Sequence, residues 1–475
     1  MIGRLRRQSS LFYVAFGAEA SLIKDDLLDS ICPLLDAHEL IALVADALGR
    51  RASKSRKTGR YGIAPDRVLR CIVLQKLKGW SLRQLERELR CGLTYRNFTR
   101  FDHDRIPRYS TFSRTFATVG EDVVHRIHER VVERARREGI AHGRRLRTDT
   151  TVTESNVHYP TDSTLLQDGV RVLTRAVERL ADECTSGAIK MVDRTRATKH
   201  RVLEIARAAK AFTDGSRTRL QEGYRGLLEI ARAVVRKAKE IVRSVEAGGV
   251  KISGDVRRVV VSKARIAHFA PLVEKVIAQT KARVFGGNTR VVDKILSIFE
   301  VHTQVIRKGK AHKPTEFGRL VRIDEIENGV VSEYEVKHGN PADVEDFVPA
   351  VRRHKEIFGR APHMATGDRG FFSAENERAA RELGVKKVVL PARGRLSATR
   401  RKQQKQRWFR RALRWRGGIE ARIGILKHRF GMARQHSKGA RGFARDVGWS
   451  VVTQNLVTIA RTRTKATRAG AGGQR

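Results

Sequence analysis

Arg145-Leu146-Arg147-Thr148-Asp149-Thr150-Thr151-Val152 is the stretch on which the reading of this chain turns. Its side chains alternate and it is rich in β-branched residues, so it predicts a strand. Asp149 falls in the interior of that strand, where aspartate is unfavourable. Either it lies at an edge facing water or its carboxylate has a task. The residues before it, 1–140, read as helical, and so do residues 165–312.

The strand's companions lie further on. Segments 320–327 and 330–336 flank Asn328-Gly329, a strong hairpin signal. A helix over about 344–358 follows, then a strand ending at Gly367-Asp368, a helix over 374–383, a strand at 388–390 closed by Pro391, and a helix carrying Glu420. With 165–312 set aside, the order is three antiparallel strands, then parallel strands with helices. That α/β order matches the ribonuclease-H-like architecture, in which a metal site forms where the first and fourth strands lie side by side. The expected organisation is an all-α N-terminal DNA-binding region (1–140), the first part of the core (141–164) and a helical insertion between the first and second core strands (165–312). The remainder of the core (313–440) and a C-terminal helix with a basic tail (441–475) complete it. The Gly- and Ala-rich chain after Ile459 is expected to be disordered.

Composition names a partner. Lys and Arg number 97 against 51 Asp and Glu, a formal charge of +46. Such a chain repels itself unless it meets an anion, and nucleic acid is the expected one, because neutralising phosphates releases counterions. An anionic membrane fits less well, since the charge runs along the whole chain instead of clustering. Against this background three carboxylates stand out: Asp149, Asp368 in Ala365-Thr366-Gly367-Asp368-Arg369-Gly370, and Glu420. Acids set among cations suit divalent-metal chemistry on a polyanion, with hard oxygen ligands for the metal and positive charge for the phosphates. Cys32, Cys71, Cys91 and Cys184 have neither zinc nor disulfide spacing. Arg4, Arg6 and Arg7 precede an apolar run at 11–18, but Glu19, Lys24, Asp25 and Asp26 interrupt it, against an export signal. No apolar stretch is long enough for a bilayer, and no phosphate-binding G-x-x-x-x-G-K-[ST] loop occurs. The expected location is cytoplasmic, with the nucleoid.

In the N-terminal region, Ser81-Leu82-Arg83-Gln84 makes a capping box after a helix that opens at Pro65 and ends at Gly79. The second helix should bury Leu82, Leu85 and Leu89 and expose Arg83, Arg87 and Arg90. This fits a helix-turn-helix and equally an ordinary hairpin with a solvated basic face. Arg96 and Arg100 alternate with aromatics in 95–101, which suits backbone contact and stacking, although Phe98 and Phe101 could be core. In the insertion, Leu220, Tyr224, Leu227, Ala231, Val234, Ala238, Ile241 and Val245 form a heptad seam. Asp168 is expected to cap a neighbouring helix. The resulting bundle is an arm for dimerisation or DNA, or a spacer.

On the Glu420 helix, Arg416, Glu420 and Lys427 fall within about 40° of one another at about 100° per residue. Ile419, Ile423, Leu426 and Phe430 form the adjacent apolar stripe. The spacing R-x3-E-x6-K, preceded by Trp415, resembles the Y-x2-R-x3-E-x6-K pattern of bacterial insertion-sequence transposases of the DDE class, ISNCY-like group. Residues 147–162 (Arg147-Thr-Asp-Thr-Thr-Val-Thr-Glu-Ser-Asn-Val-His-Tyr-Pro-Thr-Asp162), 308–318, 368–373 and 408–411 resemble the same group. The resemblance implies that Asp149, Asp368 and Glu420 are the triad and that they hold two Mg²⁺ ions, for which Mn²⁺ can substitute. It implies Arg416 and Lys427 as phosphate-positioning cations, and Leu413 stands where the tyrosine would fall. It further implies DNA as partner, both the element ends with inverted repeats and the target, and a homodimer in a synaptic complex. The alternatives are a catalytically inactive, transposase-derived DNA-binding protein and a metal-dependent nuclease without strand transfer.

Overall fold

The computed structural model describes residues 1–3, 24–51, 61–102, 104–185, 187, 189–211, 215–307, 314–392 and 394–472, with side chains to residue 466. The apolar run at 11–18 with the arginines before it, and residues 308–313 of the quoted 308–318 stretch, lie outside these residues. The chain divides into two compact units, one of residues 1–155 and 306–475, the other of 156–305.

The first unit opens with helices α1 (Asp26–Leu35), α2 (His38–Gly49), α3 (Pro65–Lys78), α4 (Leu82–Cys91), α5 (Leu93–Thr99), α6 (Tyr109–Thr118) and α7 (Glu121–Arg137). Ser81 caps α4 with both halves of the capping box made, Gln84 N–H to the Ser81 hydroxyl and Ser81 N–H to the Gln84 side chain. Leu85 and Leu89 are buried and Leu82 is partly so, while Arg83, Arg87 and Arg90 face solvent. Phe98 and Phe101 are core residues.

The sheet begins with β1 (Arg145–Ser155). Its partners are β3 (Glu316–Glu325), antiparallel, and β5 (Met364–Thr366), parallel. β4 (Val331–Val336) pairs antiparallel with β3, and β6 (Lys387–Val389) parallel with β5. Two short strands, β2 (Gln304–Ile306) and β7 (Arg434–Gln435), add to β3 and β1. Spatially the order is β4-β3-β1-β5-β6, with β2 on β3's outer edge. The β3–β4 turn runs through Asn328 at φ 59° and Gly329 at φ 78°, the left-handed geometry that Asn-Gly supplies at low steric cost.

α12 (Phe347–Phe358), α13 (Ala374–Glu382), α14 (Ala398–Lys405) and α15 (Arg407–Arg429) follow their strands. Phe409 and Ala412 of α15 pack on Met364 and Val389, and Leu426 packs under Val321 and Ile323. The helix therefore crosses one face of the sheet from β5 and β6 to β3. The chain ends in α16 (Gly439–Gly472). Trp449, Val452 and Leu456 of α16 share a core with Val124, Ile127 and Val131 of α7. Where disorder was expected after Ile459, the helix continues as far as Gly472. A helix already anchored by packing propagates through Ala, Arg and Lys, which favour helix, at little cost per residue.

The second unit is α-helical: α8 (Asp162–Ala181), α9 (Thr195–Ala208), α10 (Ser216–Glu246) and α11 (Val256–Val284). From Tyr224 to Val245 the seven heptad positions of α10 are all buried, against Val170, Leu173 and Val177 of α8 and Val273 and Val276 of α11. Asp168 does not cap a helix. It lies inside α8, ion-paired to Arg171 at 2.5 Å, and the cap is Thr161, whose hydroxyl accepts from Thr164 N–H. The threonine cap lies nearly two turns earlier than Asp168.

Candidate active site

Asp149 and Asp368 reach the same region by strand pairing. The parallel register of β1 and β5 ends at Arg147 opposite Thr366. Each aspartate stands two positions beyond that rung, and paired strands are usually about 4.8 Å apart. Asp368 lies past the end of β5, not on it. It caps the short turn Arg369–Phe371, accepting from Gly370 N–H at 2.5 Å. The cap fixes one carboxylate oxygen. In β1, Asp149 Oδ1 accepts from Thr150 N–H at 2.8 Å.

Alternation along β1 assigns the faces. Thr148 and Thr150 point one way and donate to Asp324 at 2.6 Å and Asp343 at 2.5 Å. Burial pushes the Asp324 carboxyl above the usual carboxylate range, against the opposing pull of Arg322 and Thr148. Arg147 and Asp149 point the other way, to the face that α15 crosses. Arg147 donates to the Trp415 carbonyl of α15, and Arg422 of the same helix reaches Glu325, the β3 partner of Arg147.

Glu420 is on α15 but is not folded into this interior. Its side chain is 68% exposed and bonds to Arg416 at 2.9 Å. About 160° around the helix from Arg422, it belongs with Arg416 and Lys427 on the opposite flank. Among the described residues, no group of three or more His, Cys, Asp or Glu side chains is gathered so as to hold a metal ion. Of the three carboxylates, one thus stands on β1, one just past the end of the neighbouring β5, and the third sits on the overlying helix turned to an arginine. As donors, carboxylate oxygens suit a hard divalent cation. Leu413, at the position of the expected tyrosine, packs with Trp408 and Trp415 against the Met364–Phe409 cluster, an apolar role.

The basic side chains divide into two sets. Arg83 lies over the Tyr109 ring at 4.8 Å, and Arg87 and Arg90 are exposed, in surface pairs with Glu88 and Glu86. Arg90 also borders a cleft with Arg67, Arg105, Arg108 and Tyr61. Arg96 and Arg100 have partners within the chain: Arg96 donates to the backbone carbonyls of Leu89, Asp102 and Asp104, and Arg100, its side chain 39% exposed, pairs with Asp36 and Asp66. Asp343, which the sequence did not single out, lies with Asp368 against the open side of Gly370. The buried set Arg147, Glu325 and Arg422 was missed as well. An ion pair between residues 178 positions apart leaves no spacing to read.

Residues 17–118 match the family described as Transposase domain (DUF772), and residues 325–456 match Transposase DDE domain. The second match contains Asp368 and Glu420 and begins after Asp149. No curated protein and no solved structure matches the chain. Together the two matches indicate an insertion-sequence transposase of the DDE class. The Transposase DDE domain supports an enzyme of the DDE nuclease and transposase type, and that family implies a DNA substrate and dependence on a divalent metal. No helix among the described residues is long and apolar enough to cross a membrane.

Proposed function

We propose that Asp149, Asp368 and Glu420 are the catalytic carboxylates of this transposase, in a ribonuclease-H-like core interrupted by the helical unit, and that the chain is of the ISNCY-like group. The observation that carries the reading is the parallel pairing of β1 with β5, beyond whose last rung Asp149, inside β1, and Asp368, past the end of β5, each follow by two positions. The helix that bears Glu420 crosses the same face of the sheet. Rotation of the exposed Glu420 side chain away from Arg416 completes the set.

These three side chains would hold two Mg²⁺ ions, or Mn²⁺ in their place, which supply an activated water and stabilise the leaving 3′ oxygen. The chain's own residues do the rest. Arg416, released from Glu420, grips a phosphate flanking the cut with its planar fork, and Lys427 adds a point charge to the next. Arg83, Arg87 and Arg90 hold the duplex by its backbone in the N-terminal region. Strand cleavage frees a 3′-OH, which then attacks a phosphodiester of target DNA, so no covalent enzyme intermediate and no Ser, Tyr or Cys nucleophile is needed. Two protomers in a synaptic complex, working in the cytoplasm on the nucleoid, bring both ends together.

The test is cleavage of DNA carrying the element ends in Mg²⁺ or Mn²⁺. Asp149→Ala, Asp368→Asn and Glu420→Gln each abolish cleavage and leave DNA affinity within about twofold, since none of them contributes a cation to phosphate binding. Cleavage at the wild-type rate in any one of the three removes that residue from the site.

A further inference from the structure

We propose that Arg147, Glu325 and Arg422, closing on the bare backbone of Gly418, form a clamp that seats the Glu420 helix on the strand of Asp149. They act as positioning residues for metal binding. This rests on the assignment of Glu420 to the metal site.

The Glu325 carboxylate is fully buried, with a side-chain exposure of 0%. Its Oε1 accepts from Arg147 Nη2 at 2.7 Å and from Arg422 Nε at 3.2 Å, and its Oε2 accepts from Arg147 Nε at 2.9 Å. The remaining Arg147 nitrogen, Nη1, donates to the backbone carbonyl of Trp415. One guanidinium therefore joins three elements. It is rooted on β1 two residues before Asp149, forked on a β3 carboxylate, and bonded to the main chain of α15.

The helix is tied at 415 and again at 422, on both sides of Glu420. The Trp415 ring adds to the first tie, 4.7 Å from the Arg147 guanidinium carbon and 5.2 Å from that of Arg145. Gly418 makes the approach possible. A Cβ there would meet Arg147 Nη1 at a separation real Cβ atoms essentially never show.

Apolar packing alone does not fix the position of Glu420. Phe409, Ala412, Ile419 and Leu426 bury one side of α15, but such contacts are non-directional. A shift of one residue along a helix turns each side chain by about 100°, which would swing Glu420 off the flank it occupies. A planar fork with both ends engaged sets angle as well as distance, a task a lysine point charge does not perform. The paired charges thus fix the register between a strand carrying one metal ligand and a helix carrying another.

The experiment uses the full chain and two readouts. Mn²⁺ binding is followed by electron paramagnetic resonance, and cleavage of element-end DNA by its rate at saturating DNA. Gly418→Ala and Arg147→Lys disturb the clamp without stranding a carboxylate, and Glu325→Gln removes its centre. Glu420→Gln is the comparator. The clamp predicts that Gly418→Ala and Arg147→Lys weaken Mn²⁺ binding about tenfold and slow cleavage to match. DNA affinity and thermal unfolding should stay near wild type.

Combining Gly418→Ala with Arg147→Lys should add little to either alone, because the two disturb one contact. Excess Mn²⁺ should restore cleavage in both single variants, a rescue that a folding defect would not show. Wild-type Mn²⁺ binding in Gly418→Ala and Arg147→Lys, with Glu420→Gln deficient, overturns the clamp and leaves the Glu420 assignment standing. Wild-type Mn²⁺ binding and cleavage in Glu420→Gln overturns that assignment, and the clamp's role with it. If Glu325→Gln fails to fold, the other two variants still decide the question.

Discussion

Replacing Glu333 with Gln should lower the stability of the first unit by about 2–3 kcal/mol. Glu333 lies on β4, nearly buried, and its carboxylate accepts from His125 at 3.1 Å and from Arg353 at 2.6 Å. Burial alone would push its carboxyl up. The hydrogen bond from His125, the charges of His125 and His128 and the bond from Arg353 outweigh it and hold the carboxyl at about 2 instead of 4.5. At about 1.4 kcal/mol per pH unit, that lowering corresponds to about 3 kcal/mol. Arg353 keeps Glu129 and Glu356 as partners in the variant, so no charge is left stranded and the lower end of the range is reachable. The sign follows from the direction. A lowered carboxylate contributes fully above 4.5, and the contribution disappears as pH falls from there through about 2. His125, raised chiefly by its hydrogen bond to Glu333, contributes below its ordinary value near 6.5 and loses its part as pH rises through the raised one. Urea unfolding at pH 5.5, where both groups are charged, is therefore the assay. Trp80, Trp408, Trp415 and Trp449 all belong to the first unit, so tryptophan fluorescence reports that unit alone. A loss under about 0.5 kcal/mol at pH 5.5, or identical acid limbs of wild type and variant between pH 4.5 and 2, would refute the reasoning.

Two further outcomes are expected. Gly329→Ala should destabilise by about 1–3 kcal/mol in the same urea assay, since φ is 78° there and a Cβ would collide with the Arg422 guanidinium; an unchanged midpoint would show that the turn relaxes freely. In DNA binding measured across salt concentrations, Arg87→Ala should lower the slope of log affinity against log salt by about 1. Arg96→Ala should instead leave the slope unchanged and lower the unfolding midpoint, because its guanidinium serves three backbone carbonyls; the reverse pattern would exchange their roles.

Much of the sheet could be read from the chain because strands announce themselves locally. The β-branched alternation at 145–152 became β1, and Asn328-Gly329 became the turn between β3 and β4. The capping box at Ser81 and the heptad positions of α10 are equally local, and each is present. What depended on distant partners could not be read. Arg147 looks like one more surface cation until Glu325, Trp415 and Gly418 surround it. Arg96 and Arg100 sit among aromatics in a pattern that suits nucleic acid, yet internal acceptors claim them. Of the candidate site, residue types and elements were legible. The side-chain direction of Glu420 was not, because helical spacing puts it in a row with Arg416 and does not say which neighbour it chooses. The end of α16 was misjudged because a Gly- and Ala-rich tail has no hydrophobic pattern of its own, and its helix is inherited from the packed turns before it.

The position of the second unit has a consequence for biosynthesis. β1 ends at residue 155 and its antiparallel partner β3 begins at 316. At about 5–20 residues per second, the ribosome needs roughly 8–30 s to deliver the partner. During that wait β1 has two unsatisfied edges, a template for pairing with another nascent chain. The helical unit has its own core, so it can condense in the interval and shorten the effective loop that must close. Its presence between the first two core strands makes the order of folding a matter of timing on the ribosome as well as of stability.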